Sequence, residues 1–246
     1  GPYGWLENYD PDWTPNTTDA QGRRYRYAQQ PQIAMWNLIQ LANAIYPLIE
    51  EAAPLEKSLE VYPQCYQQEW QQMMARKLGL QAFAGDGDKD LIDALLEILA
   101  LVETDMTIFY RQLAEVNTDI NNLQDVDNEE LMKPLMNAYY LREQLTDDYR
   151  QKMGDWLRDY IQRLRKDDRN DDVLAMHTIN PKYVLRNYLA QLAIDKSGQG
   201  DYSMLHELLE LLRRPYDEQP DKEQYYEKRP DWARKRAGCS MLSCSS

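Results

Sequence analysis

Along most of the chain apolar residues recur every three or four positions, and nowhere do they alternate with period two over a sustained stretch. The pattern predicts helices and no strand. Pro31 suits a first helical turn, and Ala34, Leu38, Leu41, Ile45 and Leu48 follow as one apolar stripe. A second helix is predicted over 59–78, closed by Gly79 in a left-handed cap. Asp88 can cap a third, with Leu91, Leu95, Ile98 and Val102 on one face. A shorter helical pattern covers 105–116. Residues 117–128 are polar and turn-rich, and read as a break between two helical subdomains. Beyond them Leu145, Tyr149, Met153, Trp156, Tyr160 and Leu164 mark a long helix with an aromatic stripe. Pro181 is expected to start another, carrying Leu185, Leu189 and Leu192. Leu205, Leu208, Leu209 and Leu212 make a last one, which Pro215 stops.

The two ends differ from this middle. Residues 1–30 are punctuated by Pro2, Gly4, Pro11, Pro15 and Gly22 and read as an irregular, functional segment. Residues 31–214 are the helical body. Residues 215–246 form an irregular tail with basic residues at Arg229, Arg234, Lys235 and Arg236. Gly1-Pro2-Tyr3-Gly4 reads as the inside of a loop, so the chain is expected to be a fragment.

Charge narrows the partners. Lys and Arg total 28 against 41 Asp and Glu, a net charge of −13, and a field of that sign repels nucleic acid and anionic lipid. No apolar run approaches the roughly 20 residues that would span a bilayer. Three cysteines without CxxC spacing and two histidines argue against a structural zinc site and for a reducing cytoplasm.

Candidate chemistry is sparse. Asp86, Asp88, Asp90 and Glu97 fit a calcium loop at positions one, three, five and twelve, but Leu91 stands where that loop demands glycine, so acidic residues favouring a helix start is the better reading. His177 and His206 have no nearby ligating or catalytic partner in sequence, and neither phosphate-binding glycine motif occurs. Arg23, Arg24 and Arg26 interleave with Tyr25 and Tyr27. They could read phosphate, although pairing with the surplus carboxylates is favoured. In the tail, Cys239 and Cys244 are expected to be accessible thiols near cations that favour the thiolate. Cys65, flanked by Tyr62, Tyr66 and Trp70, is expected to be buried and inert.

Three stretches together carry a resemblance. Gly1-Pro2-Tyr3-Gly4-Trp5-Leu6 is followed by Tyr9-Asp10-Pro11-Asp12, Gly22-Arg23-Arg24-Tyr25 and Gln30-Pro31. Asn180-Pro181-Lys182-Tyr183-Val184-Leu185-Arg186-Asn187-Tyr188-Leu189 comes later. Pro215-Tyr216-Asp217-Glu218, Arg229-Pro230-Asp231-Trp232-Ala233 and Cys244-Ser245-Ser246 close the chain. In this order they resemble SelO proteins, the selenoprotein O or YdiU family of kinase-like protein adenylyltransferases.

The resemblance implies an all-α fold, the helical lower lobe of a kinase-like protein. Residues 1–30 would be an activation-like segment, with Gly1, Pro2, Tyr3, Gly4, Arg23 and Arg24 as its characteristic residues. The parent would use ATP and magnesium to move AMP onto Ser, Thr or Tyr hydroxyls of protein substrates. Its metal-binding, base and phosphate-binding residues would lie upstream of Gly1, leaving this chain no catalytic, cofactor or metal site and no activity of its own. The expected partners are protein substrates and the missing N-terminal lobe. Cys244, with Cys239, would be the redox position. Pro15 stands where several members carry a cysteine, so a disulfide from the tail to that point is unavailable. The competing reading is a free-standing helical interaction module that binds through Tyr149, Trp156 and Tyr160 and carries a redox-active thiol tail.

Overall fold

Pro31 lies in the first turn of α1 (Gln30–Ile49), where a missing N–H costs nothing. Glu50 ends the helix at a φ of 60°, with its N–H on the Tyr46 carbonyl at 2.8 Å. α2 (Ala53–Lys77) packs against α1 as a hairpin. It begins at Ala53, earlier than the stripe shows, because Pro54 starts it and its first turns cover no core. Gly79, at a φ of 74°, closes it in the left-handed conformation that glycine takes without strain. The structure, a computed structural model, describes residues 5–14, 21–167, 173–236 and 238–239.

The predicted stripe of α1 is only partly covered, with Ala34, Leu38 and Ile45 half-buried and Leu41 and Leu48 exposed. No α1 residue is buried, and Leu48 is 85% exposed. The main core begins at the end of α2 and gathers α3 (Asp86–Leu99), α4 (Met106–Leu113), α5 (Asn128–Met132) and α6 (Asp147–Lys166). Leu91, Leu95 and Ile98 of α3, with Val102 just beyond it, are all buried there. Trp156 donates to the Leu91 carbonyl at 2.8 Å and Tyr160 to that of Leu78 at 2.9 Å, so both rings lie inside with their polar tips satisfied. With Tyr149 they belong to this core, and the interaction face of the competing reading is therefore interior. Residues 117–128 hold one 3-10 turn, Leu123–Asp125, and Leu123 is buried in the same core.

A second cluster is built on α8 (Asn187–Ser197) and α9 (Ser203–Leu212). α7 (Val173–Ile179), which sequence reading missed, packs against α2. The helix expected from Pro181 starts only at Asn187. Lys182 and Tyr183 instead give their N–H groups to the Pro215 carbonyl, at 2.9 and 3.0 Å. Asn180 is drawn to α2, its amide bonded to the Lys77 carbonyl at 2.8 Å.

The tail is ordered over its described length, with 3-10 turns at Pro220–Tyr225 and Asp231–Arg234. Arg111 of α4, nearly buried, donates to the carbonyls of His177, Asn180 and Tyr216 and to the Glu218 carboxylate. Lys182 adds ion pairs to Glu218 and Glu223.

Among the described residues there is no strand, only two antiparallel bridges, Asn8 with Asp105 and Thr104 with Tyr139. No described helix is long and apolar enough to cross a membrane.

Candidate functional site

Asp105 stands just before α4, and its side chain caps that helix by accepting from the Ile108 N–H at 3.0 Å. The same carboxylate is clamped by Arg186, the residue before α8, and accepts the Tyr140 hydroxyl at 3.0 Å. The residues around Asp105 carry the N-terminal segment. Met106 donates its N–H to the Glu7 carbonyl at 2.9 Å, and Tyr9 donates to that of Thr104 at 3.3 Å. Asn187 reads the backbone of Trp5 from both sides, accepting its N–H at 3.0 Å and donating to its carbonyl at 2.9 Å. Residues 5–14 are thus fixed to the helical body.

Glu7 is buried beneath this segment with Arg229 3.2 Å away. Burial pushes its carboxyl above the usual range, although Arg229 and Arg186 pull the other way. Arg229 and Arg234 also hold Glu103. Two of the tail's basic residues, Arg229 and Arg234, are therefore spent on acids that support the segment, while Arg236 pairs with Asp195 of α8.

Beside this anchor, a groove of about 1420 Å³ opens between the α1–α2 hairpin and the tyrosines Tyr9 and Tyr27. Those two rings meet edge to face at 6.1 Å. Met35, Tyr66, Trp70 and Met73 line its walls. Lys77 and Tyr110 form its inner end and also face an adjoining cavity of about 180 Å³ bounded by Leu6, Thr107 and Pro181. Lys77 Nζ donates to Asn180 Oδ1 at 3.1 Å and sits 4.2 Å from the centre of the Tyr110 ring. No carboxylate among the described residues pairs with it. Burial lowers its pKa to about 8. Tyr110 is 2% exposed, its hydroxyl has no hydrogen-bond partner among the described residues, and burial raises its pKa.

Of the predicted positions, Gly1, Pro2, Tyr3, Gly4 and Cys244 lie outside the described residues. Arg24 places its guanidinium 3.9 Å over the Trp36 ring, and Arg26 pairs with Asp12 at 3.1 Å. Arg23 is exposed, reaches the Asp12 carbonyl at 3.4 Å, and has a φ of 43°. These arginines tie the segment to α1 and to itself.

The cysteine expectations need correction. Cys239 is 4% exposed in the second cluster, because the tail folds back onto α8 and α9, and burial raises its thiol pKa despite nearby Arg236. Cys65 is exposed, since this part of α2 faces no core.

Asp86–Glu97 lies in α3, with Asp88 paired to Arg163, and no group of three potential metal ligands converges among the described residues. His177 sits 3.5 Å from Glu115, its pKa lowered by burial. Sequence reading missed Lys77 and Tyr110, which occur in ordinary helical patterns. Asp105 had a signal, a capping residue just before a helical stretch.

The family model described as "Protein adenylyltransferase SelO" matches residues 1–213. The chain belongs to the SelO family. A protein from Rhodopirellula baltica named protein nucleotidyltransferase YdiU is 56% identical over 253 residues, covering 100% of this chain and 47% of that protein. Proteins of the same name from Flavobacterium johnsoniae and Aromatoleum aromaticum are 50% and 48% identical, with 46% and 45% of their lengths covered. The chain spans about half the length of the curated relatives it matches. Of the residues that carry the resemblance, Trp5, Arg186 and Asn187 meet at the anchor of the N-terminal segment.

Proposed function

We propose that this chain is the helical, kinase-like lower-lobe portion of a protein adenylyltransferase that transfers AMP from ATP to Ser, Thr or Tyr hydroxyls of protein substrates, and that it is inactive alone. The observation that carries the reading is the extent of the match, which covers all of this chain and about half of each nucleotidyltransferase relative. In such a transfer the substrate hydroxyl oxygen bonds to the α-phosphorus, its proton passes to a base, and pyrophosphate leaves.

The described residues do not suit magnesium. The carboxylates nearest the anchored segment, Glu7, Glu103 and Asp105, are each held by arginine, and no three-ligand group forms. No step through the metal is therefore assigned to this chain. Its part is to hold the activation-like segment rigidly, through Asp105, Arg186 and Asn187, against the half that binds nucleotide. That half and the protein substrates are the partners of this reading, and the net charge of −13 disfavours nucleic acid and anionic membrane. The redox role falls to Cys244 rather than Cys239, whose buried thiol stays protonated.

Calorimetry tests the division of labour. This chain alone should show no magnesium-dependent ATP binding. Binding should appear when the half of the Rhodopirellula baltica relative that this chain does not cover is added. Micromolar binding by the chain alone would overturn the proposal.

A further inference from the structure

Charged residues make up 28% of the chain, yet α1 carries none in its 20 positions. Its main packing partner is α2, which covers only the stripe of Ala34, Leu38 and Ile45, and covers that by half. Apolar side chains continue to either side of the stripe. Ile39 and Tyr46, seven residues apart, lie along one side, and Leu41 and Leu48, also seven apart, lie along the other. All four are exposed. On the face away from α2, Asn37, Gln40 and Asn43 are exposed amides that offer hydrogen bonds without charge. A helix this apolar around its girth, with only neutral polar groups on the rest, has the composition of an interior helix.

Composition also selects the kind of cover. Surfaces that meet transient partners are about as polar as the rest of a protein, whereas permanent interfaces resemble a core cut in half and are depleted of charge. A protein substrate would return α1 to water after every turnover. The curated relatives supply a permanent body, since more than half of the length of each lies outside the match to this chain. Being part of the same polypeptide, that body meets α1 at an effective concentration on the order of millimolar, which neither a free substrate nor a second copy matches. A second copy must also bring together two net charges of −13.

We propose that the part of the protein corresponding to the uncovered half of these relatives packs on the outer faces of α1, laying uncharged, apolar surface on Ile39 and Tyr46 on one side and on Leu41 and Leu48 on the other. α1 is then a buried central helix of the whole protein. This rests on the reading above, in which that half is the chain's partner, and adds the surface on which the two meet.

The test places Leu41→Cys and Leu48→Cys, one at a time, in two proteins. One is this chain alone. The other is full-length, the Rhodopirellula baltica relative with this chain in place of the stretch it matches. Both side chains are exposed, so the changes should leave this chain folded. Iodoacetamide labelling is timed and read by peptide mass spectrometry. Each new cysteine should label at the rate of an exposed thiol in this chain and about 100-fold more slowly in the full-length protein, where reagent enters only through local opening. Hydroxyl-radical footprinting repeats the comparison with no change of sequence, between this chain and the unmodified full-length relative. The helix of the relative that matches 30–49 should be oxidised about tenfold less than α1 of this chain.

Equal labelling in the two proteins, or equal oxidation, would overturn the proposal. Slowing that appears only when protein substrates are added would assign the face to substrate, and slowing in this chain that grows with its concentration would assign it to a second copy; either result overturns it too. AMP transfer by a full-length protein whose α1 stays open to reagent would remove this proposal and leave the transfer reading standing. A covered α1 without transfer would do the reverse.

Discussion

Arg186 holds Asp105 through both ends of its guanidinium: Nη1 donates to Oδ2, and Nη2 lies 3.1 Å from Oδ1. Both residues are almost entirely buried. The pair couples three parts distant in sequence, because Asp105 also caps α4 and the backbone around it carries residues 7–9. A fork matched to a carboxylate fixes orientation as well as charge.

Breaking this pair from one side should be costly. Arg186→Met leaves the Asp105 carboxylate buried without its cation, and urea unfolding should show a loss of about 3–5 kcal/mol. Adding Asp105→Asn should cost less than the sum of the two single changes, since the second removes the stranded charge. A loss below about 1 kcal/mol for Arg186→Met would show that the pair does not organise the fold.

Thiol reactivity should follow burial. With timed iodoacetamide labelling of the reduced native protein, read by peptide mass spectrometry, Cys65 should be alkylated well before Cys239. Exposed Cys65 meets the reagent directly, whereas Cys239 is buried and its thiol pKa is raised. Equal rates would mean that the tail does not hold its place on α8 and α9.

Lys77 gives a pH signature. Burial lowers its pKa from 10.5 to about 8, so between these values the unfolded chain keeps a proton that the folded chain has released. Stability relative to Lys77→Met should therefore be flat below about pH 7 and rise through the window from 8 to 10.5. The limiting slope is about 1.4 kcal/mol per pH unit for one proton. Paired urea titrations across that range check it, and parallel curves would show an ordinary lysine.

Arg111→Met should loosen the tail. Its guanidinium serves three carbonyls and Glu218, and the change strands these acceptors at a cost of about 2–4 kcal/mol. Limited proteolysis should then cut within 215–236 at a protease level that leaves the parent chain intact.

Much of the helical layout was legible because it is local. The α3 stripe, the α6 aromatic run, the Gly79 cap and the Pro31 start each express a short-range rule. What failed depends on distant contacts. Pro181 begins no helix because residues 182–183 are drawn to Pro215, and the α1 stripe is only half-buried against α2 because the main core does not reach it. The thiols of Cys65 and Cys239 exchanged their expected settings for the same reason, since burial is decided by what folds back onto a segment. The groove was illegible throughout. Lys77 and Tyr110 are unremarkable in sequence, and only the meeting of α2, α4 and Asn180 leaves one without a counter-ion and the other without a hydrogen bond among the described residues.

The proposal that this chain supplies the helical half of a protein adenylyltransferase is open to a biochemical test. The most direct test is AMP transfer, scored by intact-mass spectrometry with ATP, magnesium and a mixture of Ser-, Thr- and Tyr-bearing protein substrates. Neither this chain nor the uncovered half of the Rhodopirellula baltica relative should be active alone, and mixing them should yield substrates heavier by one AMP. Transfer by this chain alone, or no transfer by a complex that forms and binds ATP, would contradict the proposal.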